Sequence, residues 1–263
     1  IVIDPILQEI SERLRSLDPD NLSPRESQEV LRPDLRILVM SATLDMPELS
    51  KMLKAPIVES LGRQYPVDVN YAGDSDMRML PELASRVIKT AIDKHEGDVL
   101  VFLPGQGEIK KCEEILKHSL KGVMIHPLYG QLPSNKQFAA IMPNKEGKRK
   151  VVLATNIAET SLTIEGINLV IDCGLEKVAI YDSASLMNKL VQKQIAKSSA
   201  VQRAGRAGRL MAGKCIRLYA KDEFERRPDQ SVNEISQADL LPTLIEAARW
   251  GVNTLADLPM LEL

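Results

Sequence analysis

The feature that most constrains this chain is a series of short apolar runs spaced between amphipathic segments. Residues 98–103 read Asp-Val-Leu-Val-Phe-Leu, with no polar alternation after the first position. A strand with one wet face would alternate, so this run belongs in a strand covered on both faces. Pro104-Gly105 ends it. Residues 108–120 then set Ile109, Cys112, Ile115, Leu116 and Leu120 along one side of a helix. Further strands are expected over 123–127, 151–154, 168–172 and 215–219, with helices over 80–94 and 133–142. Repeated strand–helix units imply an α/β fold, a parallel sheet with helices on both faces.

The pattern changes after residue 177. Residues 178–181 and 189–196 read as two strands around Asp182-Ser183-Ala184-Ser185, a β-hairpin inserted into the α/β framework. Towards the C-terminus, residues 239–250 form a helix with Leu241, Leu244, Ile245 and Ala248 apolar and Gly251 as its stop. Pro242 opens that helix or kinks it. Upstream, residues 1–4 read as a short strand, 6–17 as a helix, and 35–40 as a buried strand ending in Ser41-Ala42-Thr43. A short helix over 47–53 and a strand over 56–59 follow.

Composition excludes several classes. The chain is 44% hydrophobic and 27% charged, as in a soluble globular protein, and only 3% aromatic, so its core is aliphatic. The net charge of −2 means that any nucleic-acid contact comes from local patches. Cys112, Cys173 and Cys215 lie far apart and form no metal-ligand spacing, which points to reduced thiols in a cytoplasmic protein without a structural metal. His95, His118 and His126 make no such spacing either. No apolar run is long enough to span a bilayer. The chain opens on Ile1 and stops at Leu263, and both ends read as those of a piece of a longer protein.

Two stretches carry chemistry. The first is Gln202-Arg203-Ala204-Gly205-Arg206-Ala207-Gly208-Arg209. On a helix at about 100° per residue, Gln202, Arg206 and Arg209 share a narrow stripe, and Arg203 lies about 100° away, where a structural pairing suits it. Two always-charged planar forks on one face suit a polyphosphate. Gly205 and Gly208 flank the stripe and suggest that another surface comes close, since glycine costs about 1 kcal/mol inside a helix. The second stretch runs from Ala154 to Ile167: Ala-Thr-Asn-Ile-Ala-Glu-Thr-Ser-Leu-Thr-Ile-Glu-Gly-Ile. It follows a buried strand and offers hydroxyls, an amide and backbone N–H groups to phosphate oxygens, contacts that position a nucleic acid without reading its bases.

Both stretches resemble motifs of the DEAH-box ATPases, the RNA-helicase branch of the superfamily 2 motors. The octet is similar to the last helicase motif and the 154–167 stretch to the fifth. Leu103-Pro104-Gly105 resembles the fourth and Ser41-Ala42-Thr43 the third. The likeness covers roughly residues 34–260. Within the family, Phe102-Leu103-Pro104-Gly105, Pro127-Leu128-Tyr129-Gly130 and Trp250-Gly251 resemble the bacterial HrpB-type branch.

The resemblance implies a RecA-like second motor domain over 67–222. A remnant of the first motor domain would fill 1–66, and the start of a winged-helix domain 223–263. It implies that Gln202 holds the attacking water or γ-phosphate and that Arg206 and Arg209 are arginine fingers. Thr163, Glu165 and Gly166 would lie near the nucleotide. Gly105, Thr155 and Asn156 would touch the nucleic-acid backbone. Ser41 and Thr43 would link the two sites, and the hairpin would project towards the strand. The implied ligands are ATP with Mg²⁺, and single-stranded RNA or DNA. Neither a membrane nor an obligate homo-oligomer is implied.

Several departures bear on activity. No GxxxxGK[ST] phosphate loop and no Asp-Glu-x-His occurs; Pro5 follows Asp4 where the glutamate would stand. Glu165 stands where the family usually has Asp, and Ile141-Met142 where many eukaryotic members place an aromatic over the adenine. The intact enzyme is therefore expected to couple NTP hydrolysis to movement along RNA, while this chain alone lacks the groups for hydrolysis. A non-catalytic binding module that kept the fold is the alternative, and a DNA-directed helicase a lesser one.

Overall fold

The computed structural model describes residues 50–51, 56–57, 65–73, 76–144, 147–160, 162–249 and 251. The expectations for residues 1–49, including Ser41 and Thr43, lie outside the described residues. The chain divides into two compact units, Leu61–Val232 and a second formed by Ile1–Ser60 with Asn233–Leu263.

The first unit is built on a six-stranded sheet. Its strands are β1 (Val67–Tyr71), β2 (Asp98–Phe102), β3 (Met124–Leu128), β4 (Lys150–Ala154), β5 (Ile167–Asp172) and β8 (Gly213–Arg217), in the order β1-β8-β5-β2-β4-β3. Every neighbouring pair is parallel. The middle strands are apolar at successive positions because both faces are covered, and their side chains divide by parity. Val99, Val101, Val151, Leu153, Leu169 and Ile171 pack on one side. There they meet Leu80, Ala84, Ile88 and Ala91 of α1 (Leu80–Lys94) and Ile109, Cys112 and Leu116 of α2 (Gln106–Ser119). Leu100, Phe102, Val152, Ala154, Val170 and Cys215 point the other way. They meet Ala140 of α3 (Ser134–Ile141), Ala158 of α4 (Ile157–Thr160) and Ala204 of α5 (Lys197–Gly205). The helices contribute small residues on this side, so they can lie close against the sheet. The three cysteines are buried and unpaired.

The hairpin is present: its first strand begins three residues earlier and ends one later than expected, and its second lies two residues earlier at the same length. β6 (Leu175–Asp182) pairs antiparallel with β7 (Met187–Gln194) over eight rungs, from Leu175 opposite Gln194 to Asp182 opposite Met187. Asp182 caps the turn by accepting from the Ala184 N–H and the Ser185 hydroxyl. At the base, Lys177 donates to both oxygens of Glu108, at 2.9 and 3.0 Å, and so ties the hairpin to the start of α2.

Among the described residues, β1, the short α4 and α6 (Lys221–Glu225) were not expected. In the second unit, α7 (Leu241–Arg249) carries Pro242 in its first turn, where a missing N–H costs nothing.

Candidate nucleotide and nucleic-acid site

The octet is not one continuous helix, which corrects the single-stripe geometry. The α-helix ends at Gly205, and Arg206–Gly208 continue as a tighter 3-10 turn. Beyond Gly205 the 100° spacing no longer holds. The octet's side chains accordingly have different fates. Gln202 is half-buried, Arg203 and Arg206 are buried, and Arg209 is exposed.

Arg203 has the structural role expected of it. Its side chain is 1% exposed. Nε donates to Glu159 Oε2 at 2.9 Å and Nη1 to Asp172 Oδ1 at 3.0 Å, and the guanidinium lies 4.8 Å from the centre of the Phe102 ring. Burial works against its charge, but Asp172 and Glu159 outweigh burial and hold it firmly protonated. Asp172 also accepts from the Gly174 N–H and the Tyr219 hydroxyl, and Glu159 from the Ser199 hydroxyl. The two carboxylates therefore sit in a dense set of donors.

Arg206 and Arg209 lie side by side above α4 and the segment after it. Arg206 donates to the backbone oxygens of Leu162 and Glu159. Arg209 donates to the Thr163 hydroxyl at 2.5 Å. Leu100, Ala158, Leu162, Ile164 and Ile167 line a recess with the two arginines. Burial first, and the neighbouring Arg209 charge second, push the Arg206 pKa down to about 10. It remains a cation at neutral pH, and the pair of like charges makes a seat for an anion.

The close approach expected at the two glycines holds at one of them. A Cβ on Gly208 would meet the Tyr65 backbone oxygen at 2.6 Å, whereas one on Gly205 would meet nothing within 4 Å. Tyr65 N–H also donates to the Gly208 oxygen at 3.0 Å, which seats the turn against the approach to β1.

Thr155 and Asn156 occupy the carboxyl end of β4, where ligands collect in parallel sheets. Thr155 N–H donates to the Leu128 oxygen at 3.2 Å, and Leu103 N–H to the Ala154 oxygen at 2.8 Å, so the ends of β2, β3 and β4 are joined there. Asn156 is exposed and Thr155 half-buried. Gly105 reaches the same edge but is buried, with a Cβ position 2.9 Å from Lys177 Nζ beneath the Lys177–Glu108 pair.

The structure does not bring Thr163, Glu165 and Gly166 to one spot. Thr163 touches Arg209, whereas Gly166 sits where β5 begins, its oxygen accepting the Asp98 N–H at 3.2 Å. Gly166 has φ +85° and a Cβ there would fall 2.8 Å from Asp98 Oδ2, so its backbone alone requires glycine. Glu165 lies near the Lys150 ammonium, whose pKa burial lowers and which Asp98 and then Glu165 partly support. Glu159, Asp172 and Tyr219 were not singled out from the sequence. The one signal was a carboxylate within the apolar turn Ile157-Ala158-Glu159. Among the described residues no three metal-ligating side chains cluster, and no helix is long and apolar enough to cross a membrane.

A six-stranded parallel sheet with helices on both faces is the RecA-like fold of a helicase C-terminal domain. Residues 81–211 match the helicase conserved C-terminal domain. A short stretch, 5–31, matches the DNA mismatch repair protein MutS C-terminal region, outside the described residues. The chain is 42% identical over 259 residues to the ATP-dependent RNA helicase HrpB of Escherichia coli (strain K12), a match spanning 98% of this chain and 32% of that protein. It is 38% identical over 239 residues to the ATP-dependent RNA helicase HrpA of the same organism, spanning 88% of this chain and 18% of HrpA. The crystal structure of the Escherichia coli DEAH/RHA helicase HrpB superposes with a TM-score of 0.83 at 43% identity, covering 90% of this chain and 31% of that one. The chain belongs to the DEAH-box helicases and is similar to the HrpB branch. It spans about a third of the length of HrpB.

Proposed function

We propose that this chain is the second motor domain, with flanking segments, of an ATP-dependent helicase that moves along single-stranded RNA. The observation that carries the reading is the adjacency of Arg206 and Arg209 over the Leu162–Thr163 segment, which leads back through α4 to Thr155 and Asn156. In this reading Arg209 and Arg206 meet the γ-phosphate of ATP and offset the charge that develops as the phosphoryl group transfers. Gln202 orients the attacking water. Thr155 and Asn156 hold phosphates of the nucleic-acid backbone. Thr163, which touches Arg209, belongs to the nucleotide side, and Glu165 and Gly166 follow it in the same segment.

The residues present fit a polyphosphate, since burial first and the neighbouring Arg209 charge second disfavour the Arg206 charge until an anion arrives. Among the described residues no three metal-ligating side chains gather for Mg²⁺, and no phosphate loop occurs in the sequence. Mg²⁺ and the phosphate loop therefore come from a first motor domain, of which 1–66 is the assigned remnant, and 223–263 begin a winged helix. Alone, this chain hydrolyses no ATP.

The test is ATP hydrolysis by the chain joined to a phosphate-loop domain, with single-stranded RNA or DNA added. Stimulation by RNA is the expected result. Arg206→Ala should then lower turnover by roughly 10³-fold with ATP binding largely kept. Near-normal turnover in that variant would remove the finger assignment. No hydrolysis with either polymer, in a folded protein, would favour the non-catalytic module.

A further inference from the structure

Glu159 stands between the two halves of the site, and each of its polar groups is engaged. Its N–H donates to the Asn156 oxygen at 2.9 Å. Its backbone oxygen accepts from Arg206 Nη2. Its carboxylate accepts from the Ser199 hydroxyl and, at 2.9 Å, from Arg203 Nε. One residue thus touches the nucleic-acid strand end, the first turn of α5 and an arginine finger.

The ends of this linkage differ in rigidity. Arg203 is fixed independently of Glu159, by Asp172, the Leu175 oxygen and the Phe102 ring. On the other side, α4 is only four residues long, so it has little room to absorb a displacement of Thr155 or Asn156. Ala158 N–H donates to the Thr155 oxygen at 3.2 Å, so the helix starts from the two residues that would grip the strand. A carboxylate has acceptors for both Ser199 and Arg203; an amide in its place loses one acceptor and the charge.

We propose that Glu159 is a positioning residue that sets the Arg206 guanidinium according to whether a strand occupies Thr155 and Asn156. This rests on the helicase reading above. With a strand bound, Thr155 and Asn156 are held, α4 is drawn against Ser199 and Arg203, and the Glu159 oxygen presents Arg206 at a fixed place. Without the strand, α4 keeps its carboxylate contacts, the Arg206 bond and the packing of Ala158, but its Thr155–Asn156 end is not held. A catalytic guanidinium needs placement to within about 0.5 Å, so this difference falls on turnover more than on nucleotide binding.

The experiment measures steady-state ATP hydrolysis by the full-length enzyme, with and without single-stranded RNA, alongside a thermal melt. Wild-type enzyme without RNA-stimulated hydrolysis would count against the helicase reading itself. With that activity in hand, Glu159→Gln should cut the ratio of turnover with RNA to turnover without it by about tenfold, while KM for ATP moves by less than about threefold. Tyr219→Phe removes a hydroxyl donor from Asp172, at the far end of the same buried cluster, and should keep that ratio within about twofold. Should Glu159→Gln not fold, Ser199→Ala removes one of the two carboxylate contacts and should lower the ratio in the same direction. Two results would overturn the proposal: a folded Glu159→Gln or Ser199→Ala enzyme with the wild-type ratio, or equal loss of the ratio in Glu159→Gln and Tyr219→Phe in step with their melting temperatures.

Discussion

Replacing Arg203 with methionine should be among the most damaging single changes in the first unit. The guanidinium is buried together with both of its carboxylate partners: Arg203 and Asp172 have side chains 1% and 0% exposed, and Glu159 10%. Methionine keeps much of the volume and still packs on Phe102, so a void contributes little. What remains is two carboxylates that have lost their cation in a site water does not reach. Breaking a buried ion pair from one side costs about 3–5 kcal/mol. For a unit of this size each kcal/mol lowers the melting temperature by about 2–4 °C, which gives a fall of roughly 6–20 °C. The assay is thermal and urea unfolding of this chain followed by circular dichroism. A second change separates the charge effect from lost packing. Asp172→Asn in the Arg203→Met background removes one orphaned charge and should return part of the loss, although Asp172→Asn alone destabilises. Non-additivity of about 1–3 kcal/mol is expected between residues in such contact. A loss below about 1 kcal/mol for Arg203→Met would refute the reasoning, because the carboxylates would then not depend on that cation. So would strict additivity of the two changes.

The two glycines of the octet should respond oppositely in the same unfolding assay. Gly208→Ala drives a methyl group into the Tyr65 backbone and should cost about 1–3 kcal/mol, whereas Gly205→Ala enters open space at a helix end and should gain up to about 1 kcal/mol. A neutral Gly208→Ala would mean that the turn does not rest against the approach to β1. Stability should also fall with acid through His126. Burial first, and the Lys150 ammonium second, hold its pKa below the usual imidazole value, while Asp98 and Glu113 partly oppose them. The unfolded chain therefore takes up the proton first as pH falls, and stability present above about pH 6.5 is lost on the way down towards the folded value. His95 is shifted the same way, so His126→Gln should flatten part of the loss between about pH 7 and pH 5 in urea midpoints; an unchanged slope would show that His126 does not carry it.

Much of the framework was legible because it rests on local periodicity. The run at 98–103 became β2, and helix α1 fell where its apolar spacing placed it. The buried strands announced themselves by lacking alternation. β1 does alternate, with Val67, Val69 and Tyr71 half-buried and Asp68 and Asn70 exposed, but five residues beside Pro66 read equally well as a linker. α4 has four residues, fewer than any 3.6-residue pattern needs to show itself. In the octet the helical period fails at Gly205, a change of backbone geometry that residue types alone do not declare. The buried role of Glu159 depends on Arg203, 44 residues away, and that of Asp172 on the same arginine, 31 residues away. Nothing in the neighbourhood of either carboxylate encodes those partners.

The strand order has a consequence for how the unit assembles. β1 pairs only with β8, and β8 arrives 146 positions later at its matched residue, since Val67 stands opposite Gly213. As the chain emerges, β5, β2, β4 and β3 can associate first, while β1 waits without any strand to lie beside. Insertion of β8 between β1 and β5 then closes the sheet, and the same step draws the Arg206–Gly208 turn down onto Tyr65 and Val67. Closing so long a loop is slow compared with local pairing. The arginines thus come into place with the final strand, so a chain interrupted before residue 213 would hold Arg206 and Arg209 in its sequence without being able to set them side by side.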